Sequence, residues 1–262
     1  MRIPIYQADA FTDKLFGGNP AAVCPLTEWL PDPLMQQIAL ENNLSETAFL
    51  VPEKDAWHIR WFTPSTEVNL CGHATLASAH ILFNELGFAG NTLTFHSRSG
   101  PLTVSRAPEQ QLELDFPANP PGAVSAIPTG LLEGLGISQG KVFTTSFDYL
   151  VVVDTQHEIE QLNPDYTSLA KVPCRGVIVT SPGDTTDFVS RCFYPQSGIN
   201  EDPVTGSAHT IMVPYWSMQL GKNRLSATQL SARRGRLDCE LRGDRVLMRG
   251  RAITYLTGEI RV

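Results

Sequence analysis

Residues 2–11 alternate polar and apolar side chains, the period of a half-buried strand. A Gly-containing stretch, FGGNPAAV at 16–23, reads as a loop. Asp32 followed by Pro33 forms an N-cap and first-turn pair, and Leu34, Met35, Ile38 and Ala39 supply an apolar stripe that ends near Asn42 and Asn43. Strands are predicted at 47–51 and 58–62. A second helix opens at Cys71 and Gly72 and runs to Leu86, with Gly87 as its stop. Its segment ATLASAHILFNEL is apolar around most of the circumference, so it is expected to be buried on all sides. Strands at 92–96, 102–105 and 111–116 follow, and the turn-rich ANPPGAV at 118–124 marks a change of domain.

The second half repeats this order. Strands near 142–145, 150–153, 176–180 and 188–193 precede a largely apolar helix, interrupted by Pro214, and then more strands to the end. Cys71, Gly72, Leu86 and Gly87 fall opposite Thr205, Gly206, Leu220 and Gly221 without a gap, and Glu67 falls opposite Glu201. Phe62-Thr63-Pro64 matches Phe193-Tyr194-Pro195 after a short shift. A duplicated unit accounts for this, each helix sheathed by its own curved sheet.

Composition narrows the classes of function. With 42% hydrophobic and 18% charged residues in 262, the chain is that of a soluble globular protein. The net charge of -7 argues against a phosphate-binding face and hence against nucleic acid as partner. The N-terminus lacks the basic start and apolar run of a secretory signal, and no apolar stretch approaches the ~18 residues of a membrane span. A cytoplasmic location is the resulting expectation. Five cysteines without a CxxC pair are expected to be reduced and mostly buried. His73 and His80, on one predicted helix, would lie roughly 10 Å apart, too far for one small metal site. No Walker loop and no GxGxxG after a strand appears, so neither metal nor nucleotide cofactor is expected.

The beginnings of the two apolar helices are where chemistry is expected. A helix that starts at Gly after a strand and loop presents unpaired N–H groups and partial positive charge, suited to a carboxylate or oxyanion. If the halves are related by a pseudo-twofold, Gly72-His73 and Gly206-Ser207 would face each other across a cleft and grip a small anionic metabolite. That arrangement would let an acidic protein bind an acid.

DAFT at 9–12, FGGNPAAV at 16–23, NLSETAF at 43–49, CGHAT at 71–75 and GINEDPVTGSAH at 198–209 occur in this order over most of the chain. Together they resemble the PhzF, or phenazine biosynthesis-like, family. The resemblance implies the α+β diaminopimelate-epimerase fold, two pseudo-symmetric domains that each wrap a curved mixed β-sheet around a central helix. It places the N-terminal half at 1–117, completed by a last strand at about 251–262, and the C-terminal half at 118–250. It also implies a homodimer and a cofactor-independent isomerase. Glu46 matches the family's general acid/base, a carboxylate that moves a proton between two carbons. That role asks for a pKa raised by partial burial or by proximity to Asp202. His73 and Asp202 match residues that line and polarise the site, and Asn19, Ser45, Cys71, Gly72, Gly206 and Ser207 are carried over as substrate-binding.

Plainer roles stand beside these. Asn19 also fits a turn, Asp202 a helix cap, Cys71 a packed small side chain, and Gly72 and Gly206 a backbone requirement. His80 and His209 read as packed imidazoles, and Arg233, Arg234 and Arg236 as a solvated turn. Diaminopimelate epimerases use two thiols, one at the mouth of each central helix. Here Cys71 holds the first place and Thr205 the second, and a threonine hydroxyl is a poor acid or base at neutral pH. Allylic proton transfer by one carboxylate survives that change. A one-sided racemase using Cys71, and a catalytically silent carboxylate-binding protein, are the competing readings.

Overall fold

The structure, a computed structural model, describes residues 1–262. The chain forms two compact units, Met1–Phe116 with Met248–Val262, and Pro117–Leu247. Each is a mixed sheet packed on a buried helix, the α+β architecture that the sequence leads one to expect.

In the first unit the strands are β1 (Arg2–Ala10), β2 (Asn19–Pro25), β3 (Glu46–Pro52), β4 (Trp57–Phe62), the short β5 (Glu67–Val68), β6 (Thr92–Ser97), β7 (Gly100–Arg106) and β8 (Leu112–Pro117). The C-terminal strand Ala252–Arg261 lies antiparallel to β1, whose other side takes β2. From there the sheet continues parallel to β3, antiparallel to β4, parallel to β6, and antiparallel through β7 to β8. Helix α1 (Asp32–Asn42) covers one sheet face with Met35, Ile38 and Ala39, against Ile3, Ile5, Ala22, Cys24, Phe49 and Phe62. Helix α2 (Gly72–His80) packs on β1, β2, β3, β7 and the C-terminal strand.

Gly72 to Ala79 of α2 are all buried, as the all-round apolar pattern predicts. The alanines of this helix and of β1 and β2 leave little bulk between helix and sheet, and each fully buried leucine such as Leu76 contributes about 1.5–3 kcal/mol. Its polar residues satisfy themselves locally: Thr75 Oγ1 donates to the Cys71 carbonyl at 2.5 Å and Ser78 Oγ to the Ala74 carbonyl at 2.7 Å. The helix relaxes into a π-turn over Ile81–Glu85 before Gly87, whose φ of 69° ends it.

The second unit adds β9 (Gly122–Ala123), β10 (Lys141–Thr144), β11 (Asp148–Val152), β12 (Gly176–Pro182), β13 (Phe188–Tyr194), β14 (Ile199–Asp202), β15 (Arg224–Gln229) and β16 (Gly235–Arg242); β17 (Arg245–Gly250) starts in it and ends in the first unit, which resumes at Met248. Pairing runs β9, β10, β11, β12, β13, β15, β16, with β11–β12 and β13–β15 parallel and β14 laid on β13. The short helices α3 (Leu131–Leu135), α4 (Gln156–Gln161) and α5 (Tyr166–Leu169) close a core with Val151, Val177, Val189 and Phe193. The central helix of this unit is α6 (Gly206–Leu220).

One contact recurs in both units. Arg60 grips Glu67 with two bonds of 2.7 Å, and Arg191 grips Glu201 with two of 2.8 Å. In each case the guanidinium lies 5.2 Å from a phenylalanine ring two residues on, Phe62 or Phe193. Glu67 and Glu201 are the pair that the internal alignment matched, each five residues before the first glycine of its helix.

Three local expectations are corrected. The stretch at 16–23 is a loop only up to Gly18; Asn19 onward is β2, which is buried on both faces and so shows no alternation. Asp32 is not the cap of α1 but its first residue. The cap is Pro31, and the Asp32 carboxylate receives Arg60 Nη1 at 2.8 Å. Asp202 is not the cap residue of α6 either: the cap is Thr205, whose hydroxyl donates to the Asp202 carboxylate.

Candidate active site

In the first unit, Asn19 and Glu46 open the parallel strands β2 and β3, with Ala21 in register with Glu46. This end of the sheet lies at the start of α2, where Cys71 is the N-cap residue in an extended conformation. Four side chains assemble there. The Glu46 carboxylate stands 3.1 Å from His73 Nε2, and the two facing atoms are buried without any other hydrogen-bond partner. On the far side of the ring, Asn19 Nδ2 is 3.1 Å from Nδ1, and Cys71 Sγ is 3.6 Å from the same nitrogen. With its amide turned this way, Asn19 donates to Nδ1 and sets the proton of a neutral imidazole on Nε2, facing Glu46. Turned over, its oxygen would accept from an imidazolium instead.

Glu46 is 9% exposed, Cys71 6% and His73 4%, so the cluster is nearly dry. Burial first, and the Glu46 carboxylate second, push the Cys71 thiol up to about 11. Cys71 is therefore a thiol at neutral pH. Burial also disfavours charge on His73, but negative charge at Cys71 and Glu46 outweighs it and leaves the imidazole well above its ordinary value. Since Cys71 is protonated near neutrality, Glu46 is the partner that supplies this attraction there.

Ser45 precedes Glu46 and is half-buried. Gly72 is the first residue of α2 and Gly206 of α6, both buried and both helical, so a positive φ is not what requires glycine at either place. Neither helix has a side-chain cap or an acidic residue in its first turn. Their leading N–H groups have no intrahelical acceptor, and with the helix dipole they favour an anion.

The mouth of α6, in the second unit, is built differently. Thr205 Oγ1 donates to the Asp202 carboxylate at 2.5 Å, and its backbone N–H donates to Gln229 Oε1 at 2.8 Å. The Gln229 amide nitrogen in turn donates to the Asp202 carbonyl at 2.6 Å and reaches Thr205 Oγ1 at 3.2 Å. Because that oxygen accepts from Gln229, its own proton is directed to Asp202. Ser207, one residue into α6, accepts from Arg175 Nη2 at 3.3 Å, and Arg175 is clamped by both carboxylate oxygens of the buried Asp148.

The structure thus brings Asn19, Glu46, Cys71 and His73 into one cluster, and Asp202 and Ser207 to the mouth of α6. Gln229, Arg175 and Asp148 carry no motif that marks them in the sequence. Only the position of Arg175 directly before a predicted strand offered any signal. The expectation of no metal set rests on the separation of His73 and His80. His80 instead joins Asn84 and Thr254 at the other end of α2, at 2.9 and 3.0 Å, while the ligand atoms of Glu46, Cys71 and His73 lie within 4.8 Å of one another. No helix is long and apolar enough to cross a membrane.

Residues 8–258 match a family described as Phenazine biosynthesis-like protein. An uncharacterized isomerase of Pseudomonas aeruginosa is 54% identical over 260 residues, covering 99% of each chain. A crystal structure of a phenazine biosynthesis protein of the PhzF family from Enterococcus faecalis superposes with a TM-score of 0.96 at 45% identity, covering 100% of both chains. A hydroxyproline epimerase from Agrobacterium vitis shares the fold, with a TM-score of 0.66 at 9% identity over 99% of this chain and 92% of that one.

Proposed function

Because this chain belongs to the phenazine biosynthesis-like (PhzF-like) family of isomerases, we propose that it moves a proton between two carbons of a small carboxylate-bearing metabolite, with Glu46 as base and then acid. The observation that carries the reading is the buried Glu46 carboxylate facing His73 at 3.1 Å beside the uncapped start of α2. In the first half-reaction Glu46 takes a proton from carbon, and the electron pair delocalises into the substrate's carboxyl group as an enolate. The N–H groups at the start of α2 stabilise that charge, and His73 holds Glu46 in place. In the second, the protonated Glu46 returns the proton to the other end of the allylic system, and the double bond moves. A positioned base of this kind contributes roughly 10²- to 10⁴-fold.

Asp202 belongs to the same proposal as a polarising carboxylate, and Asn19, Ser45, Cys71, Gly72, Gly206 and Ser207 as groups that bind the substrate. A one-sided racemase using Cys71 is disfavoured: its thiol is pushed up to about 11, and Thr205, in the place of a second thiol, spends its hydroxyl on Asp202. The test is incubation with cyclic and unsaturated carboxylic acids in deuterated water, read by mass spectrometry and NMR. Wild type should incorporate deuterium at carbon and Glu46→Gln should lose it by at least about a hundredfold. Equal incorporation by both would remove Glu46 from the mechanism, and none by wild type with any acid would favour a silent binding protein.

A further inference from the structure

We propose that Arg175, at the mouth of α6, is the binding charge of a carboxylate subsite; this deepens the isomerase reading and rests on it for the identity of the ligand. Arg60 engages all three of its nitrogens, two with Glu67 and one with Asp32. Arg191 engages all three as well, with Glu201 and with the carbonyls of Ile159 and Leu162. Both side chains are nearly covered, at 12% and 13% exposure. Arg175 sits in the same two-pronged grip, Nε and Nη2 on the buried Asp148, yet its Nη1 has no partner and its side chain is 42% exposed. An ion pair that serves only the core engages every donor. This one keeps a charged donor open, and Asp148 fixes the plane of the guanidinium that carries it.

The internal duplication points the same way. Strands β3 and β12 both have seven residues, and each runs parallel to one neighbour, β2 or β11, and antiparallel to the other, β4 or β13. Gly176 thus opens β12 as Glu46 opens β3, Arg175 stands opposite Ser45, and the gapless match of the two helices sets Ser207 opposite His73. A Cβ at 176 would collide with the Tyr194 ring, so no side chain can stand where the first unit places its carboxylate. The second mouth has a cation and a hydroxyl in place of an acid and an imidazole. Ser207 Oγ accepts from Arg175 Nη2 at 3.3 Å, which leaves its own hydrogen for a ligand.

Tyr194 supplies an independent sign of an acceptor. It is 7% exposed, and its hydroxyl is buried without a partner. Its ring packs against Gly176 and lies 5.6 Å from the guanidinium carbon of Arg175. Burial pushes the phenol well above its ordinary value, so it keeps its proton, and Asp148, Arg175 and Asp202 all act on it. Arg175 Nη1 and the hydroxyls of Ser207 and Tyr194 therefore join the leading N–H groups of α6 as donors that lack an acceptor. A carboxylate, with two oxygens in one plane, suits them. Arg175 and Asp148 together carry no net charge and Asp202 adds an acid nearby, so a singly charged carboxylate is favoured over a doubly charged phosphate.

The experiment titrates the full, isotope-labelled chain with sodium acetate and sodium succinate, followed by NMR at an ionic strength held constant with chloride. Saturable shifts of the Gly206 and Ser207 amides and of the Arg175 Nε–H are expected in the millimolar range. Arg175→Gln should weaken binding by at least about tenfold, and Arg175→Lys should recover part of it as a point charge. Arg224→Gln, an exposed arginine of the same unit, should leave it unchanged. Because Arg175→Gln strands Asp148 in the interior, the double variant Asp148→Asn/Arg175→Gln is measured beside it, each first shown folded by near-UV circular dichroism. Binding as tight as wild type in either variant overturns the subsite, as do shifts that never saturate. Inorganic phosphate binding more tightly than succinate overturns the carboxylate class. In the deuterium-exchange assay Arg175→Gln should raise KM more than it lowers kcat. Binding at α6 with no exchange by wild type overturns the isomerase reading and leaves the subsite standing. Exchange with KM unchanged in Arg175→Gln does the reverse.

Discussion

Replacing His209 with glutamine should remove a pH dependence of stability that the fold of the second unit creates. His209 lies in α6 with no exposure, its Nδ1–H donating to the Thr205 carbonyl at 2.8 Å and its ring 5.9 Å from that of Phe188. Its Nε2 is buried without a partner, so a second proton there would be an unsolvated, unbonded charge. Burial accordingly pushes the imidazole down from 6.5 to about 4, with the Thr205 carbonyl opposing only in part. The unfolded chain therefore binds a proton at a pH where the folded chain does not. Stability from the neutral His209 is complete above pH 6.5 and is lost as pH falls toward 4. At 1.36 kcal/mol per unit, the loss is about 3 kcal/mol. Urea unfolding, followed by tryptophan fluorescence at several pH values between 4.5 and 8, reads it. Groups common to both proteins cancel in the difference between wild type and His209→Gln, whose amide can still donate to Thr205. The stability advantage of wild type over the variant should shrink by about 2–3 kcal/mol between pH 7.5 and 4.5. A pH-independent difference would refute the argument.

Two further outcomes are expected. Glu67→Gln and Glu201→Gln each leave a largely buried guanidinium without its bidentate carboxylate. Glu201→Gln should cost about 3 kcal/mol in urea unfolding and Glu67→Gln less, because Arg60 keeps Asp32 while Arg191 falls back on the carbonyls of Ile159 and Leu162; equal costs would contradict this. Thr205→Val removes a donor from the buried Asp202 carboxylate and should lower stability by about 2 kcal/mol, most of it restored in Thr205→Ser, and a neutral valine would show that the hydroxyl does not hold Asp202.

What was legible in the sequence follows burial pattern and local chemistry. The helix at 72–86 declared itself because apolar side chains on every face have one physical meaning, and α2 is buried on every face. The imidazole of His209 was read correctly as a packed one. By contrast, the start of β2 reads as loop because alanines, valine and cysteine buried on both sides give no two-residue alternation. Helices α3, α4 and α5 have 5, 6 and 4 residues, too few to establish a helical period. The misplaced caps share one cause. Asp32 and Asp202 are acids just before or at a helix start, but each finds a stronger donor elsewhere, Arg60 in one case and the Thr205 hydroxyl in the other. Within the site, Cys71, Gly72 and His73 are adjacent in sequence and easily grouped. Glu46 joined them only through its motif, because its place depends on the parallel register of β2 and β3. The side chains of Gln229 and Arg175 hydrogen-bond to partners 24 to 32 residues away, which no local pattern encodes.

The two helix mouths show how a duplicated scaffold separates support from chemistry. In both units an arginine on a central strand, stacked on a phenylalanine, pins a glutamate five residues ahead of the helix. The residue before the helix is delivered in similar extended conformations, φ −144° and ψ 115° for Cys71 and φ −111° and ψ 99° for Thr205. The backbone is therefore set before any reactive side chain is chosen. What differs is the side chain that this frame presents: a thiol beside an imidazole and a carboxylate in one unit, a hydroxyl committed to a carboxylate in the other. Supporting pairs of this kind cost stability wherever they are broken, so they constrain both copies alike. The groups at the mouths bond mainly to one another and not to these arginine–glutamate pairs, so the two copies can diverge there without disturbing the frame. What such divergence leaves is a thiol, an imidazole and a carboxylate at one mouth and a hydroxyl bound to a carboxylate at the other.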